Sequence, residues 1–431
     1  MSDRGVRATQ AAPVRRYLLP DTAQIGDDGR LSIGGVDLLD LAEHVGTPVF
    51  VYDEAHVRAR CREAVAAFGD GVAYASKAFL CKAMAALAYE EGMHLDVATG
   101  GELHVALAAG VPPSHLVLHG NNKSIDELRR ARELGVRIVV DSFDELDRLD
   151  ALYAEDGRRA RVLVRVTPGV EAHTHEYVMT GQVDSKFGFG LASGDGQRAV
   201  ERVRQGQSTE LVGVHTHIGS QIFLVRSFEK AVNVLTGFVK PLDLDELCLG
   251  GGLGVPYVEG EEAPTITDWG ETLRAACTAA GITARLTAEP GRAIVAAAGL
   301  TLYRVGTIKH IPRVRTYVAV DGGMSDNPRP VLYGSGYEAF LPRATTAARP
   351  FQVTVVGKHC ESGDLVVRDA CVPGDLVVGD VLCTPVTGAY GHSMASNYNK
   401  VPRPPVVFVR DGEARVVVRR ETLDDLVRLD T

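Results

Sequence analysis

"VAYASKAFLCKAMAALAYEEGMHLDV", residues 72–97, decides the fold. VAYAS (72–76) is a short apolar run without helical period, KAMAALAYEEG (82–92) spaces its apolar side chains as a helix does, and MHLDV (93–97) is a second short run. Strand, helix and strand in such quick succession predict a βαβ unit with parallel strands. Lys77 stands where the first run stops. A lysine there either lays its stem on apolar surface with its ammonium in water, or is a desolvated amine that forms a Schiff base with a carbonyl compound. Its neighbourhood has to decide.

Working outward, the same unit recurs. Further runs are HLVLH (115–119), VRIVV (136–140), VLVRV (162–166), LVGVHTH (211–217), ELCLG (246–250) and RLTAE (285–289). Helical stretches follow several of them: GELHVALAAG (101–110), SIDELRRARELG (124–135) and SFDELDRLDALYAEDG (142–157). Eight strand-then-helix units predict an α/β fold with a (β/α)8 TIM-type barrel over residues 49–300, a doubly wound open sheet being the alternative. From residue 301 the texture changes to runs such as TLYRVGTIKH (301–310), FQVTVVGKH (351–359) and PPVVFVR (404–410), separated by Gly, Pro and Asp turns. This predicts a C-terminal all-β domain over 301–431, ending on the helical pattern of ETLDDLVRLD (421–430). Residues 1–48 form an N-terminal segment, and LSIGGVDLLDLAEHVGTPVFVYD (31–53) is a candidate extra strand for the β domain.

Barrel sites collect at the C-terminal ends of the strands. Those ends carry Lys77, Asp96 or Thr99, His119, Asp141, Arg165, His217, Gly250 to Gly252 and Glu289, so nearly every one is polar or glycine. LGGGLGVPY (249–257) is not a dinucleotide fingerprint, because that pattern needs glycine at Val255, and it is not a P-loop. Three consecutive glycines still expose backbone N–H groups to an anion, and phosphate sites recur near the seventh and eighth strands of such barrels. A tight turn requiring positive φ is the plainer reading, and the two are compatible. HTHIGSQIF (215–223) holds His215 and His217 two apart, either as core histidines or as a metal pair without a visible third ligand. EPGRAIV (289–295) sets Glu289 three residues before Arg292, which alone reads as a helix-start arrangement.

Composition limits the partners. The chain of 431 residues carries a net charge of −9 and no basic cluster with interleaved aromatics, which argues against nucleic acid and favours small molecules. No apolar run approaches a membrane span, and MSDRGVRATQAAPVRRYLLP (1–20) lacks the apolar core of a secretory signal. Seven cysteines without a C-x-x-C pair fit reduced thiols in a cytoplasm.

Taken in order, YASKAF, HIGSQ, GGGLG, EPGR, CESGD and TGAY (387–390) resemble the pyridoxal-phosphate decarboxylases built from an alanine-racemase-like barrel and a β domain. EAHTHEYVMTGQVDSKFGFG (171–190), VDGGMSDNPRPVLYG (320–334), GKHCESGD (357–364) and SMASNYN (393–399) are similar to the diaminopimelate decarboxylase family within that group. The resemblance spans roughly residues 45–428 and implies pyridoxal 5'-phosphate as cofactor and decarboxylation of meso-2,6-diaminopimelate to L-lysine. It implies that Lys77 holds the cofactor covalently, Glu289 sits against the pyridine nitrogen and His217 lies over the ring. Gly250, Gly251, Gly252, Ser220, Arg292 and Tyr390 would cradle the phosphate region, with Asp96 in support. Arg292, Arg329, Tyr333 and Tyr390 would grip the distal carboxylate of the substrate, Glu361 its distal ammonium, and Cys360 would return a proton. No metal is implied. A homodimer with shared active sites is implied. The chain departs from the family at Gly391, where cysteine is common. Alternatives are a decarboxylase for ornithine, arginine or carboxynorspermidine, a barrel racemase, and a non-catalytic cofactor-binding regulator.

Overall fold

The computed structural model describes residues 12–169 and 184–431, which divide into two compact units. Of the described residues, one comprises 58–169, 184–255 and 262–295, the other 12–57, 256–261 and 296–431.

The first unit contains the eight expected strands: Ala73–Ala75, His94–Val97, Leu116–Leu118, Arg137–Val140, Ala160–Thr167, Thr209–His215, Glu246–Cys248 and Arg285–Thr287. Each pairs in parallel with the next in sequence. Ala73 N donates to Ala288 O at 2.9 Å and Ala75 N to Pro290 O at 3.1 Å, so the first strand meets the chain beyond the eighth and the barrel closes. The open doubly wound alternative is thereby excluded. Val117, Val139, Leu163 and Cys248, from four of these strands, pack into one buried cluster.

Local sequence explains the helices between strands. Ser124 caps Ile125–Leu134 reciprocally with Glu127, and Thr265 caps Ile266–Ala280 in the same way with Asp268. Gly135 and Gly281 end those helices in the left-handed conformation.

The second unit holds an eight-stranded, mainly antiparallel sheet. Its strands run in the order Leu365–Val372, Phe351–Val356, Arg315–Val320, Gly299–Ile311, Val49–Asp53, Val406–Arg410 and Glu413–Val418, with Val381–Pro385 also paired to Gly299–Ile311. The extra strand expected from 31–53 is present: Val49–Asp53 pairs antiparallel with Gly299–Leu302 and parallel with Val406–Val409, so the barrel starts later than residue 49. The five residues of that strand are all buried, and a run buried on both faces reads alike in either sheet. The last stretch forms only a 3-10 turn, Asp424–Leu426, because Leu423 and Leu429 find no core and stay exposed. No helix among the described residues is long and apolar enough to cross a membrane.

Candidate active site

Lys77 lies in the 3-10 turn Ser76–Ala78 that follows the first strand. Its Nζ is 3.3 Å from Asp96 Oδ2 on the second strand. The other Asp96 oxygen is 3.7 Å from His119 Nε2, and that nitrogen is 2.9 Å from Glu289 Oε1. His215 Nε2 stands 2.9 Å from Glu289 Oε2. The barrel thus converts five separate strand ends into one connected group of ionisable side chains.

Burial by itself pushes the Glu289 carboxyl up, but the imidazoles of His119 and His215 outweigh it and hold the group well below its usual range. Glu289 therefore keeps a negative charge at the barrel mouth. His217 is shifted down as well, but to its neutral form: burial and then the nearby charges of Lys77 and Arg165 push it well below its ordinary value. Its Nδ1 accepts the Gly251 N–H at 3.1 Å, which assigns the proton of the neutral ring to Nε2. His215 and His217 do not converge on one point, and the histidine–carboxylate cluster among the described residues is His119, His215 and Glu289.

The glycine turn has no room for side chains. A Cβ on Gly251 would stand 2.2 Å from Glu289 O, and one on Gly252 2.2 Å from Gly219 O. Gly250 and Gly252 also have φ of +67° and +111°. Beside this bare backbone, Arg292 Nη2 donates to Ser220 Oγ at 2.8 Å.

Residues 54–296 match the family model described as "Pyridoxal-dependent decarboxylase, pyridoxal binding domain". A diaminopimelate decarboxylase of Mycobacterium tuberculosis (strain H37Rv) is 48% identical over 93% of this chain and 95% of that protein. The chain belongs to the diaminopimelate decarboxylase family. The Bacillus subtilis (strain 168) diaminopimelate decarboxylase is likewise 48% identical, covering 96% of this chain and 98% of its own. The crystal structure of the diaminopimelate decarboxylase of M. jannaschii in complex with L-lysine has a TM-score of 0.87 at 33% identity, over 95% of this chain and 98% of that one.

The site suits the pyridoxal cofactor of this family on its own geometry. A phosphate needs close approach to backbone and a cation, and the turn at Gly250 to Gly252 is bare of side chains with Arg292 and Ser220 beside it. An aldehyde needs a reachable amine, and the Lys77 side chain is 46% exposed.

The β-domain residues of this decarboxylase are placed as follows. Arg329 begins the short helix Arg329–Tyr333 and is buried; its Nη1 donates to the Tyr337 hydroxyl at 2.5 Å. Cys360 is exposed, and its backbone N–H donates to Asn399 Oδ1 at 3.0 Å. Glu361 is exposed, with its Oε1 accepting from Gly363 N at 3.2 Å. Asp364 secures the same loop by accepting from Met324 N at 2.7 Å and His359 N at 2.8 Å. Tyr390 has a φ of +62°, and a Cβ on the adjacent Gly391 would lie 3.0 Å from the Phe50 ring. A cysteine at 391 would be crowded here. The motif at 171–190 lies outside the described residues up to 183.

Sequence reasoning placed His119 and Arg165 at strand ends and His215 beside His217, yet gave none of them a site role. The available signal was position at a strand end; the contacts of His119 and His215 to Glu289 arise only when the barrel closes, and that of Arg165 to Asp141 only when the fourth and fifth strands pair. Arg165 Nη1 lies 3.7 Å from Asp141 Oδ1, with its guanidinium 4.4 Å above the Phe187 ring.

Proposed function

We propose that this enzyme removes carbon dioxide from meso-2,6-diaminopimelate to give L-lysine, the last step of lysine biosynthesis, using pyridoxal 5'-phosphate. It is a carboxy-lyase. The observation that carries the reading is an accessible lysine beside a buried aspartate, on a barrel whose charged Glu289 faces the same strand ends.

Pyridoxal phosphate, when bound, supplies an electron sink for the pair left behind as the α-carboxylate departs. Lys77 would hold its aldehyde, and Asp96 orients that amine. Glu289 would offer its negative charge to the ring nitrogen of the cofactor, and the neutral ring of His217 would pack against it. Gly250, Gly251, Gly252, Ser220, Arg292 and Tyr390 hold the phosphate. At the substrate's far end, Arg292, Arg329, Tyr333 and Tyr390 bind the carboxylate, where arginine's planar fork suits it, and Glu361 binds the ammonium. Cys360 donates its thiol proton to the carbon that lost carbon dioxide, a role open to an exposed thiol.

A closed two-fold homodimer with shared sites is part of this reading, with Cys360 and Glu361 of one protomer serving the cofactor of its partner. Seven free cysteines and a biosynthetic reaction support a cytoplasmic location. A coupled assay of carbon dioxide release with meso-diaminopimelate, ornithine, arginine and carboxynorspermidine tests the function. Turnover of diaminopimelate far above the other three is expected, and equal turnover of ornithine would overturn the reading.

A further inference from the structure

Arg329 sits among aromatic rings whose own placement is controlled from a distance. Its guanidinium lies 4.2 Å above the Tyr257 ring and 5.5 Å from the centre of the Tyr337 ring. Tyr337 also accepts the Nη1 hydrogen bond at 2.5 Å. The two rings meet edge to face, with centroids 5.3 Å apart at 83°, and both tyrosines are 4% exposed. Burial alone works against the charge of Arg329, but Tyr257 and Tyr337 lead the groups that offset it and raise its pKa.

Tyr257 belongs to the hexapeptide 256–261, which groups with the β unit although it interrupts the barrel sequence. That hexapeptide is tied down at several points. Tyr257 N donates to Glu261 Oε2 at 2.7 Å and Glu259 N to Glu338 Oε1 at 3.2 Å. Arg349, itself buried, reaches both Glu259 and Glu338, the latter at 3.3 Å. A Cβ on Gly336 would stand 2.9 Å from Val258 Cγ1, so the two loops approach more closely than a side chain there permits. Arg349 therefore locks the loop carrying Tyr257 to the loop carrying Tyr337.

We infer that Tyr257 and Tyr337, held together by Arg349, are positioning residues that fix the guanidinium plane of Arg329 and so set the enzyme's selectivity for the carboxylate that the reaction leaves untouched. The inference rests on the reading of Arg329 given above and deepens it. A cation over an aromatic face is attracted to it, and a hydrogen bond from one nitrogen stops rotation in the plane. The fork is then pre-oriented before ligand arrives, and less ordering is left for binding.

The product provides the test. L-lysine keeps the distal carboxylate, whereas cadaverine has the same amines and chain without it. Affinity of the holoenzyme for each is read from the visible absorbance change of the cofactor. Wild-type holoenzyme is expected to favour lysine, and Arg329→Ala to bring the ratio close to one. Tyr257→Leu should lower the lysine-to-cadaverine ratio at least about threefold with cadaverine affinity unchanged, Tyr337→Phe should lower it also, and Tyr257→Phe should keep it within about twofold. If Arg329→Ala erases the preference and Tyr257→Leu does not, or if Tyr257→Leu weakens both ligands equally, the positioning role is refuted and the Arg329 reading stands. If Arg329→Ala leaves the preference intact, that reading fails and takes this inference with it.

Discussion

Lys77 Nζ lies 3.3 Å from Asp96 Oδ2, joining a side chain that is 46% exposed to one that is 2% exposed. The carboxylate is fixed by burial, and the amine it steadies can still be reached from solvent. Lys77→Ala is expected to lower turnover on the order of 10³-fold or more, as loss of a covalent catalytic group does. Borohydride reduction followed by peptide mass analysis should find the cofactor on Lys77 in the wild type and on no lysine in the variant. Undiminished trapping at another residue would reassign the site.

Gly251→Ala tests the cradle. The added Cβ would sit 2.2 Å from Glu289 O, and backbone cannot yield as a flexible side chain can. Overpacking of this kind costs about 1–3 kcal/mol. Cofactor should be lost on dialysis, with a lowered melting temperature. Full retention at wild-type stability would show that the turn does not set the cofactor's phosphate.

The shared site is tested by mixing. Lys77→Ala and Cys360→Ala homodimers should each be impaired, and a heterodimer would carry one site with both defects and one with neither. After random equimolar exchange, activity should approach about one quarter of wild type. No recovery in a mixture whose subunits demonstrably exchange would mean that both residues serve one chain's site.

His94, at the start of the second barrel strand, links stability to pH. Burial first, then the charges of Arg137 and His115, push it down from 6.5 to about 4. The fold holds this ring neutral, whereas the unfolded chain takes up a proton below about 6.5. Stability is therefore lost as pH falls from about 6.5 towards 4, by up to about 3 kcal/mol from this group. Thermal melts of wild type and His94→Gln across that window should differ in slope, the variant being flatter. Parallel slopes would refute the assignment.

The barrel was legible because a period-free apolar run followed by a helical period survives in any one of its units. Lys77, Asp96 and Glu289 were legible as strand-end residues for the same reason. Val49–Asp53 was legible as part of a candidate strand for the β domain, but not its boundary with the barrel, since five buried residues carry no mark of which sheet surrounds them. The contacts of His119 and His215 with Glu289 were hidden as well, since they join the third and sixth strands to the residue just beyond the eighth, and only closure brings these together. Tyr257 lay hidden behind the glycine turn that precedes it, because nothing in local pattern says that six residues leave the barrel unit and return.

The place of Val49–Asp53 in its sheet also bears on synthesis. Its neighbours on either side are encoded about 250 and about 350 residues later. At ribosomal speeds of roughly 5–20 residues per second, this apolar strand waits roughly 20–70 s before the second of them exists. Throughout that interval it is an unpaired edge of the kind that pairs with other nascent chains. The barrel residues are translated during the same wait, so barrel assembly can precede the sheet, whose completion depends on the last fifth of the polypeptide.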